Sequence, residues 1–320
     1  MKALITNKYG TISDLVNSEI DKPAIKANEV LVKIKAAAIN PADLMIITGK
    51  NGGKFMHANN FPFAIGFDYS GVIEEVGQNV STLQPNDEVF GFLDYSKKNQ
   101  QGTFTEYVAV TPEALAKKPQ NASFADAAAA ATAGSAALLG LKDKGNLQSG
   151  RLVFINGASG GVGSYAVRIA KNLGAKVWAT CSNKNFDYVK SLGAEQVVDY
   201  KTVKFSEITD KFDVFLDVAV RSSFSEASTI LSPNGTYVSL LPLSPGFVLG
   251  KLKSIFSSRA CRGVIVKPKN SELSLLAKWM GEDKLKVSVD TSFSLEDASK
   301  ALQKFETGRI NGKIAILIEA

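Results

Sequence analysis

The sequence has few of the side chains that hold metals or close disulfides. Its 320 residues include two cysteines, Cys181 and Cys261, and one histidine, His57. Zinc sites are built from nitrogen and sulfur ligands in a tetrahedral set, which these three residues cannot supply. The same scarcity excludes a disulfide framework and favours a reducing compartment. It also leaves only His57 to activate a serine or cysteine nucleophile, so we predict a chain with no bound metal and no such catalysis.

Long apolar runs and dense basic runs are missing too. The Ala-rich stretch 127–141 is too short and small-sided to cross a bilayer, so we expect any membrane contact to be peripheral. The 37 Lys and Arg against 31 Asp and Glu are scattered, which argues against a nucleic-acid partner but is compatible with an anionic small ligand. The opening MKALITNKYGTISDL has neither a secretory core nor a transit-peptide composition, which predicts a cytoplasmic protein.

Two strand patterns divide the chain. Up to Pro119, short alternating strands such as EVLVKIKAAA are separated by Gly and Pro, which predicts an antiparallel, barrel-like unit with few helices. From Ser123 onward, continuous apolar strands alternate with helices, as in a parallel sheet covered on both faces. The predicted strands are 152–156, 176–181, 196–199, 214–218, 236–240 and 263–266, and the predicted helices are 162–173, 186–192 and 224–231. Helices 272–280 and 295–306 and strand 313–318 break this alternation and are expected to return to the first unit.

A glycine loop follows the first apolar strand of this second pattern. Its glycines are spaced G-x-x-G-x-x-G, with Ala158 where the commoner dinucleotide fingerprint has its first glycine. The strand LVFIN, the helix VGSYAVRIAKNLG and the strand KVWATC complete a βαβ unit, so the backbone N–H groups of the loop are predicted to bind a pyrophosphate. The predicted contacts are Gly157, Ala158, Ser159, Gly160, Gly161, Val162 and Gly163.

The segment TCSNKN after the second strand indicates which dinucleotide binds. An NAD site usually places an acidic residue about twenty residues after the loop. The first acidic residue here, Asp187, comes beyond the strand end. Ser182 and Lys184 can instead donate hydrogen bonds to a 2′-phosphate. The sequence therefore favours NADPH over NADH.

Several segments resemble a known family. VFINGASGGVGSYAVRIAKNLGAKVWAT, LSPNGTYVSL, GRINGKIAILI, AAAINPADLMIITG and PFAIGFDYSGVIEEVG resemble the zinc-independent quinone oxidoreductases and enone reductases of the medium-chain dehydrogenase/reductase superfamily. The likeness spans nearly the whole chain, and PFAIGFDYSG is most similar to the chloroplast-envelope type. The resemblance implies an α/β fold: a doubly wound parallel Rossmann sheet in residues 122–268, and a GroES-like β-barrel-type catalytic domain from residues 1–121 and 269–320.

The resemblance also implies roles for single residues. Asn40 matches an asparagine that faces nicotinamide and substrate, although the local sequence alone favours a turn cap before Pro41. Asp43 matches an acid that orders the site. The other implied residues are cofactor contacts: Tyr200 beside Lys184 at the 2′-phosphate, Leu240 at a strand end, and Lys313, for which a solvated lysine is the alternative. Phe67 stands where zinc-containing relatives have the histidine of Gly-His-Glu.

The implied activity is hydride transfer from NADPH to a quinone or to the C=C bond of an α,β-unsaturated carbonyl. Three features depart from the family pattern. AGSAAL carries Ser135 where AGLTA is common, a Gly-Gly after Asp217 is missing, and no tyrosine follows the INPAD segment. These departures keep two alternatives open: an NADPH-binding structural or interaction protein with little turnover, and an NADP-dependent carbonyl or alcohol dehydrogenase.

The stretch PLSPGFVLGKLKSIFSSRACRG is long enough for a mobile lid over the substrate. Its apolar residues either line an acceptor pocket or form an amphipathic surface helix. The following strand, RGVIVKP, is predicted to be an open sheet edge, and the resemblance implies that two such edges pair to form a homodimer.

Overall fold

The computed structural model describes residues 1–58, 60–242, 244–287 and 289–319. The chain divides into two compact units, Met1–Thr132 with Lys267–Ala320, and Ala133–Val266. The corresponding boundaries expected from the sequence are 121/122 and 268/269.

The strands of the described residues are β1 (Lys2–Thr6), β2 (Val16–Glu19), β3 (Val30–Ala38), β4 (Phe63–Ala64), β5 (Asp68–Val76), β6 (Glu88–Phe92), β7 (Tyr107–Val110), β8 (Leu115–Lys117), β9 (Leu152–Asn156), β10 (Lys176–Cys181), β11 (Gln196–Asp199), β12 (Phe212–Asp217), β13 (Leu231–Ser239), β14 (Ala260–Gly263), β15 (Val289–Ser294) and β16 (Lys313–Leu317). The helices are α1 (Pro41–Thr48), α2 (Phe124–Leu138), α3 (Gly161–Asn172), α4 (Phe186–Ser191), α5 (Phe224–Ser228), α6 (Pro245–Ser254), α7 (Asn270–Gly281) and α8 (Ala298–Glu306).

The first unit is built on β3, an almost wholly buried strand. Its main sheet has the order β15-β16-β3-β5-β6-β8, with β7 also paired to β3, and a smaller sheet has the order β2-β1-β4. The pairings are antiparallel apart from β15 with β16. Because β16 pairs with β3, the end of the chain lies in the same sheet as the N-terminal strands.

The second unit is a parallel sheet of six strands in the order β11-β10-β9-β12-β13-β14. This is the doubly wound order of a dinucleotide-binding fold, and the predicted α/β class is confirmed. Three aromatic side chains fill the centre of one face: the ring of Phe154 lies 5.0 Å from that of Phe212 and 5.2 Å from that of Phe215. The strand order reverses between β9 and β12, where ligands bind such sheets.

Two sequence predictions in this unit are wrong in position. The helix predicted for 224–231 ends at Ser228, because Leu231 already begins β13, which continues through Pro233-Asn234-Gly235. The last strand, predicted for 263–266, is β14 and lies three residues earlier, paired to β13 from Ala260 to Gly263. In both places pairing with neighbouring strands outweighed local turn and helix preferences.

One helical segment, Phe124–Lys144, is long and apolar enough to cross a membrane by length and composition. However, 78% of its apolar window is buried inside the protein. A core helix passes the same test, and burial by the protein's own side chains explains the composition.

Candidate active site

The glycine loop joins β9 to α3 with the geometry that its sequence predicts. Gly157 has a φ of +92°, a conformation that glycine adopts without strain. The N–H of Gly157 donates to Thr180 Oγ1 at 3.0 Å, and the N–H of Ala158 donates to the Thr180 carbonyl at 2.8 Å. Helix α3 begins after Gly160, so its first N–H groups, which have no partner within a helix, lie at the loop.

Two glycines of this loop have different surroundings. A Cβ on Gly163 would lie 2.2 Å from the carbonyl oxygen of Gly157, so the helix can approach the strand only with glycine there. A Cβ on Gly160 would have no neighbour closer than 3.9 Å. The free space beside Gly160 fits the pyrophosphate of a dinucleotide at a helix N-terminus.

The end of β10 carries Ser182 and Lys184. The side chain of Ser182 is mostly buried, whereas Lys184 is exposed. Sequence reasoning missed Asp199, whose Oδ2 accepts a hydrogen bond from the N–H of Asn183 at 3.3 Å. Asp199 is distant in sequence but pairs in register with Cys181, because β11 runs parallel to β10. The strand end therefore presents one cation and one nearby carboxylate.

A groove of about 490 Å³ lies at the carboxyl ends of these strands. Its lining includes Gly157, Thr180, Tyr200 and Arg221. Tyr200 is 51% exposed, which leaves its ring accessible to a ligand. Leu240 lies half-buried after β13, where its N–H approaches the carbonyl of Asp217 at 3.5 Å.

Asp217 ties together the loop after β12. Its carboxylate accepts hydrogen bonds from Asn156 Nδ2 (2.9 Å), the N–H of Val220 (3.0 Å), the N–H of Ser222 (3.1 Å) and Tyr237 Oη (3.0 Å). Burial raises the pKa of Asp217, while these hydrogen bonds oppose the rise. This buried network shapes the loop that lacks the family's Gly-Gly.

The same loop holds Val220 at a φ of +54°, in the left-handed region. A β-branched residue in this region destabilises the folded protein by about 1–3 kcal/mol. Glycine relieves this strain but loses more conformational entropy on folding, which offsets about 0.5–1 kcal/mol of the gain. We therefore expect Val220→Gly to raise the free energy of unfolding by about 1 kcal/mol in urea titrations. Val218→Gly, which relieves no positive φ, should lower it; equal losses in both variants would contradict this account.

A cluster of buried polar side chains lies in the first unit. Lys313 Nζ, on β16, donates to the Ile39 carbonyl (2.7 Å), to Asn40 Oδ1 (2.7 Å) and to Asp68 Oδ2 (3.3 Å). Asn40 Nδ2 in turn donates to Asp68 Oδ2 at 2.8 Å. Lys313 is 3% exposed and Asp68 fully buried, so the alternative of a solvated lysine does not hold.

Two further side chains complete this cluster, and sequence reasoning did not assign them to the site. Thr132 donates to Asp68 Oδ1 from both its N–H, at 3.1 Å, and its hydroxyl. The Thr132 hydroxyl also lies 3.1 Å from Tyr95 Oη. Burial raises the pKa of Tyr95 well above its usual range, which keeps the phenol protonated. The ring of Phe67 stacks on Tyr95 at 4.1 Å.

Asn40 precedes α1, as expected for a residue before Pro41, but its side chain is turned into the cluster. The N–H of Asn40 donates to Asp43 Oδ2 at 2.6 Å. The other oxygen of Asp43, Oδ1, is buried and has no hydrogen-bond partner in the described structure. Burial and the neighbouring Asp68 raise the pKa of Asp43, while its bond to Asn40 and the charge of Lys313 oppose this. Asp43 thus fixes the backbone from which Asn40 projects.

The residues that could hold a metal lie apart. Within residues 1–58, 60–242, 244–287 and 289–319, no group of three or more His, Cys, Asp or Glu is placed to hold an ion. His57 is buried against Phe63, with ring centroids 4.1 Å apart, and burial lowers its pKa to about 4. Burial raises the pKa of the Cys181 thiol to about 12 and that of Cys261 to about 11. These donors do not fit a zinc site.

Known protein families match two stretches of the chain. The alcohol dehydrogenase GroES-like domain matches residues 26–120, and a family described as zinc-binding dehydrogenase matches residues 192–316. A 2-methylene-furan-3-one reductase of Solanum lycopersicum is 34% identical over 99% of this chain and 79% of its own length. In Arabidopsis thaliana, a chloroplast envelope quinone oxidoreductase homolog is 32% identical over 99% of this chain and 98% of its own. A chloroplastic NADPH-dependent alkenal/one oxidoreductase there is 31% identical over 99% and 79%.

The fold is also that of a solved enzyme. The quinone oxidoreductase from Coxiella burnetii superimposes with a TM-score of 0.91, at 29% identity, over 100% of this chain and 99% of that one. Identity above 30% across 99% of this chain confirms the resemblance stated from the sequence. The chain is an oxidoreductase that belongs to the quinone oxidoreductase and enone reductase family of the medium-chain dehydrogenase/reductase superfamily.

Proposed function

We propose that this oxidoreductase uses NADPH to reduce quinones or the C=C bond of α,β-unsaturated carbonyls. NADPH supplies a hydride which, with one proton, converts an enone to the saturated carbonyl or a quinone to the hydroquinone and leaves NADP⁺. The observation that carries the proposal is the donor set of the buried cluster. Phe67 offers no metal ligand, and the Asp68 carboxylate is already engaged by Lys313, Asn40 and Thr132. Conjugate reduction suits such a site because it asks only for hydrogen-bond donors.

The proposed roles in the second unit rest on the sequence pattern and the family resemblance, and its geometry supports them. The loop from Gly157 to Gly163 is proposed to hold the pyrophosphate. Ser182, Lys184 and Tyr200 are proposed to surround the 2′-phosphate, and Leu240 is proposed as a further cofactor contact. The exposed side chains of Lys184 and Tyr200 support this assignment. The carboxylate of Asp199 repels the 2′-phosphate, so the attraction has to come from the Lys184 cation. We therefore propose a preference for NADPH that rests on Lys184.

We expect Lys184→Ala to weaken NADPH binding about tenfold and leave NADH binding nearly unchanged, because it removes one charge-assisted hydrogen bond to phosphate. Calorimetric titration with both nucleotides measures this. Lys190→Ala, which removes an exposed lysine of α4, is the matched control. Equal losses for NADPH and NADH, or none for either, would contradict the assignment.

The proposed roles in the first unit centre on Asn40. One hydrogen of its Nδ2 is engaged by Asp68, and the other is proposed to stabilise the developing enolate. Asp43 holds the backbone of Asn40. The three N–H groups of Lys313 are used within the cluster, so we propose that Lys313 acts by positioning Asn40 rather than by touching the cofactor. The proton comes from solvent or a nearby hydroxyl.

To test this, purified protein and NADPH are mixed with each of a panel of acceptors, and the oxidation of NADPH is measured. Enones and quinones should be reduced, whereas saturated ketones should not, and simple alcohols should not reduce NADP⁺. Activity confined to saturated carbonyls and alcohols would support the dehydrogenase alternative. Tight NADPH binding without turnover of any acceptor would support the structural alternative.

Three further properties are proposed with this function. The protein is zinc-free, which elemental analysis tests, since stoichiometric zinc would refute it. It is a homodimer in which the β14 edges of two copies pair, and a monomer in sedimentation at micromolar concentration would refute this. We also propose a cytoplasmic location, since both cysteines are free thiols, as in a reducing compartment; two relatives are named as chloroplast proteins.

A further inference from the structure

The groove in the second unit lies between two loops that carry cations. Its lining includes Tyr200 and Lys204, from the loop after β11, and Arg221, from the loop after β12. Strands β10 and β9 lie between β11 and β12 in the sheet, so the two loops border the groove on opposite sides. Gly157 and Thr180, at the carboxyl ends of these middle strands, line the groove between them. A ligand in the groove can therefore meet a cation on each side.

The backbone on both sides of Arg221 is fixed. The N–H of Val220 donates to Asp217 Oδ1 at 3.0 Å, and the N–H of Ser222 donates to Asp217 Oδ2 at 3.1 Å. These contacts hold Val220 at its positive φ, and strained backbone of this kind is concentrated at ligand sites. The loop lacks the family's Gly-Gly, and the Arg221 side chain that it carries is exposed. A rigid loop thus presents Arg221 to the groove.

The positive charges of Lys204 and Arg221 are available to a ligand. Among the described residues, no ion pair involves either side chain. The one carboxylate in the described lining of the groove, Glu226, accepts hydrogen bonds from the N–H (2.8 Å) and the hydroxyl (2.7 Å) of Ser223. Two such cations suit a phosphate, to which a guanidinium can donate two parallel hydrogen bonds.

Given the proposed use of NADPH, on which this inference rests, we propose that Arg221 and Lys204 bind its 2′-phosphate and determine its selection over NADH. Tyr200, already proposed as a contact of this phosphate, lines the same groove. Of the other residues proposed around the phosphate, only Lys184 is cationic, and the Asp199 carboxylate lies at the same strand end. Arg221 and Lys204 add to the attraction that Lys184 exerts against this carboxylate.

An arginine beside a nucleotide can also stack on the adenine ring. Such a contact is the same for NADH and NADPH, and it leaves the Lys204 cation on the other side of the groove without a role. The 2′-phosphate is the only group that distinguishes the two nucleotides, so titration with both separates a phosphate contact from an adenine contact.

Calorimetric titration of the full chain with NADPH, NADH and adenosine 2′,5′-bisphosphate tests the proposal. We expect Arg221→Gln to weaken the binding of NADPH and of the bisphosphate at least about tenfold, and Lys204→Gln about fivefold, while NADH binding changes less than about twofold. Arg221→Lys, which keeps the charge but not the paired N–H groups, should lose less than Arg221→Gln. Lys176→Gln, which removes an exposed lysine at the amino end of β10, should bind like the unmodified chain.

Two results would overturn the proposal. The first is an equal loss for NADPH and NADH in Arg221→Gln, which would assign Arg221 to the adenine or the pyrophosphate, and the second is unchanged NADPH binding in that variant. Arg221-dependent NADPH binding by a protein that reduces no acceptor would support this proposal and contradict the proposed activity. An unmodified chain that binds none of the three nucleotides would contradict both. Unfolding midpoints must match that of the unmodified chain, and Lys204→Gln, on a separate loop, keeps the test decisive if Arg221→Gln unfolds.

Discussion

Replacing Lys313 with methionine is expected to lower the free energy of unfolding by about 3–5 kcal/mol. The variant leaves the Asp68 carboxylate fully buried without its cation, and it removes hydrogen bonds to Asn40 and to the Ile39 carbonyl. Urea titration measures the loss. In acceptor reduction, kcat should fall by a larger factor than KM changes, because Asn40 would lose its fixed orientation.

Two companion variants make this prediction specific. Lys2→Met breaks the Lys2–Glu296 pair, whose side chains are both 58% exposed, and should cost less than about 1 kcal/mol. Adding Asp68→Asn to Lys313→Met should recover part of the loss, because no uncompensated charge stays buried. If the Lys313 and Lys2 variants lose equal stability, or if the added Asp68→Asn makes the loss larger, the buried pair is not the cause.

Alanine at Gly160 and at Gly163 is expected to separate binding from folding. Gly163→Ala puts a Cβ against the Gly157 carbonyl and should lower the free energy of unfolding by about 1–3 kcal/mol, as over-packing does. Gly160→Ala meets no protein atom within 3.9 Å and should leave stability nearly unchanged. The same methyl would occupy the space proposed for the pyrophosphate, so NADPH should bind Gly160→Ala at least about tenfold more weakly.

Thermal unfolding and nucleotide titration of both variants measure these effects. Unaltered NADPH binding by Gly160→Ala would show that the dinucleotide does not lie over this loop. Undiminished stability of Gly163→Ala would show that the helix need not approach the strand so closely.

The dinucleotide-binding half of the fold was predictable because its signals are local. Continuous apolar strands, the loop from Gly157 to Gly163 and the helix after it are contiguous in sequence, and the structure places β9, α3 and β10 within one residue of the predicted bounds. The errors arose where local signals conflicted with pairing. Pro233-Asn234-Gly235 resembles a helix stop but lies within β13. That strand pairs with β12 on both sides of this segment, with a shift in register between Phe212 and Val214.

The buried cluster was only partly predictable. Asn40, Asp43 and Lys313 were identified through the family resemblance, not through spacing. Their partners Asp68 and Thr132 were not predicted, although the buried half of β5 opens with a carboxylate and the apolar strand β16 opens with a lysine. Asp199 escaped for the same reason, since only the parallel register of β10 and β11 brings it to the strand end.

By itself, the sequence determined the α/β class, the position of the glycine loop and the scarcity of metal ligands, because periodicity, glycine spacing and composition are properties of the chain alone. Only the tertiary structure decided that Lys313 is buried in an ion pair with Asp68, that Val220 is held at positive φ, and that α6 turns its apolar side chains outward. Such features depend on contacts between residues far apart in the chain, whose free energies outweigh local preference.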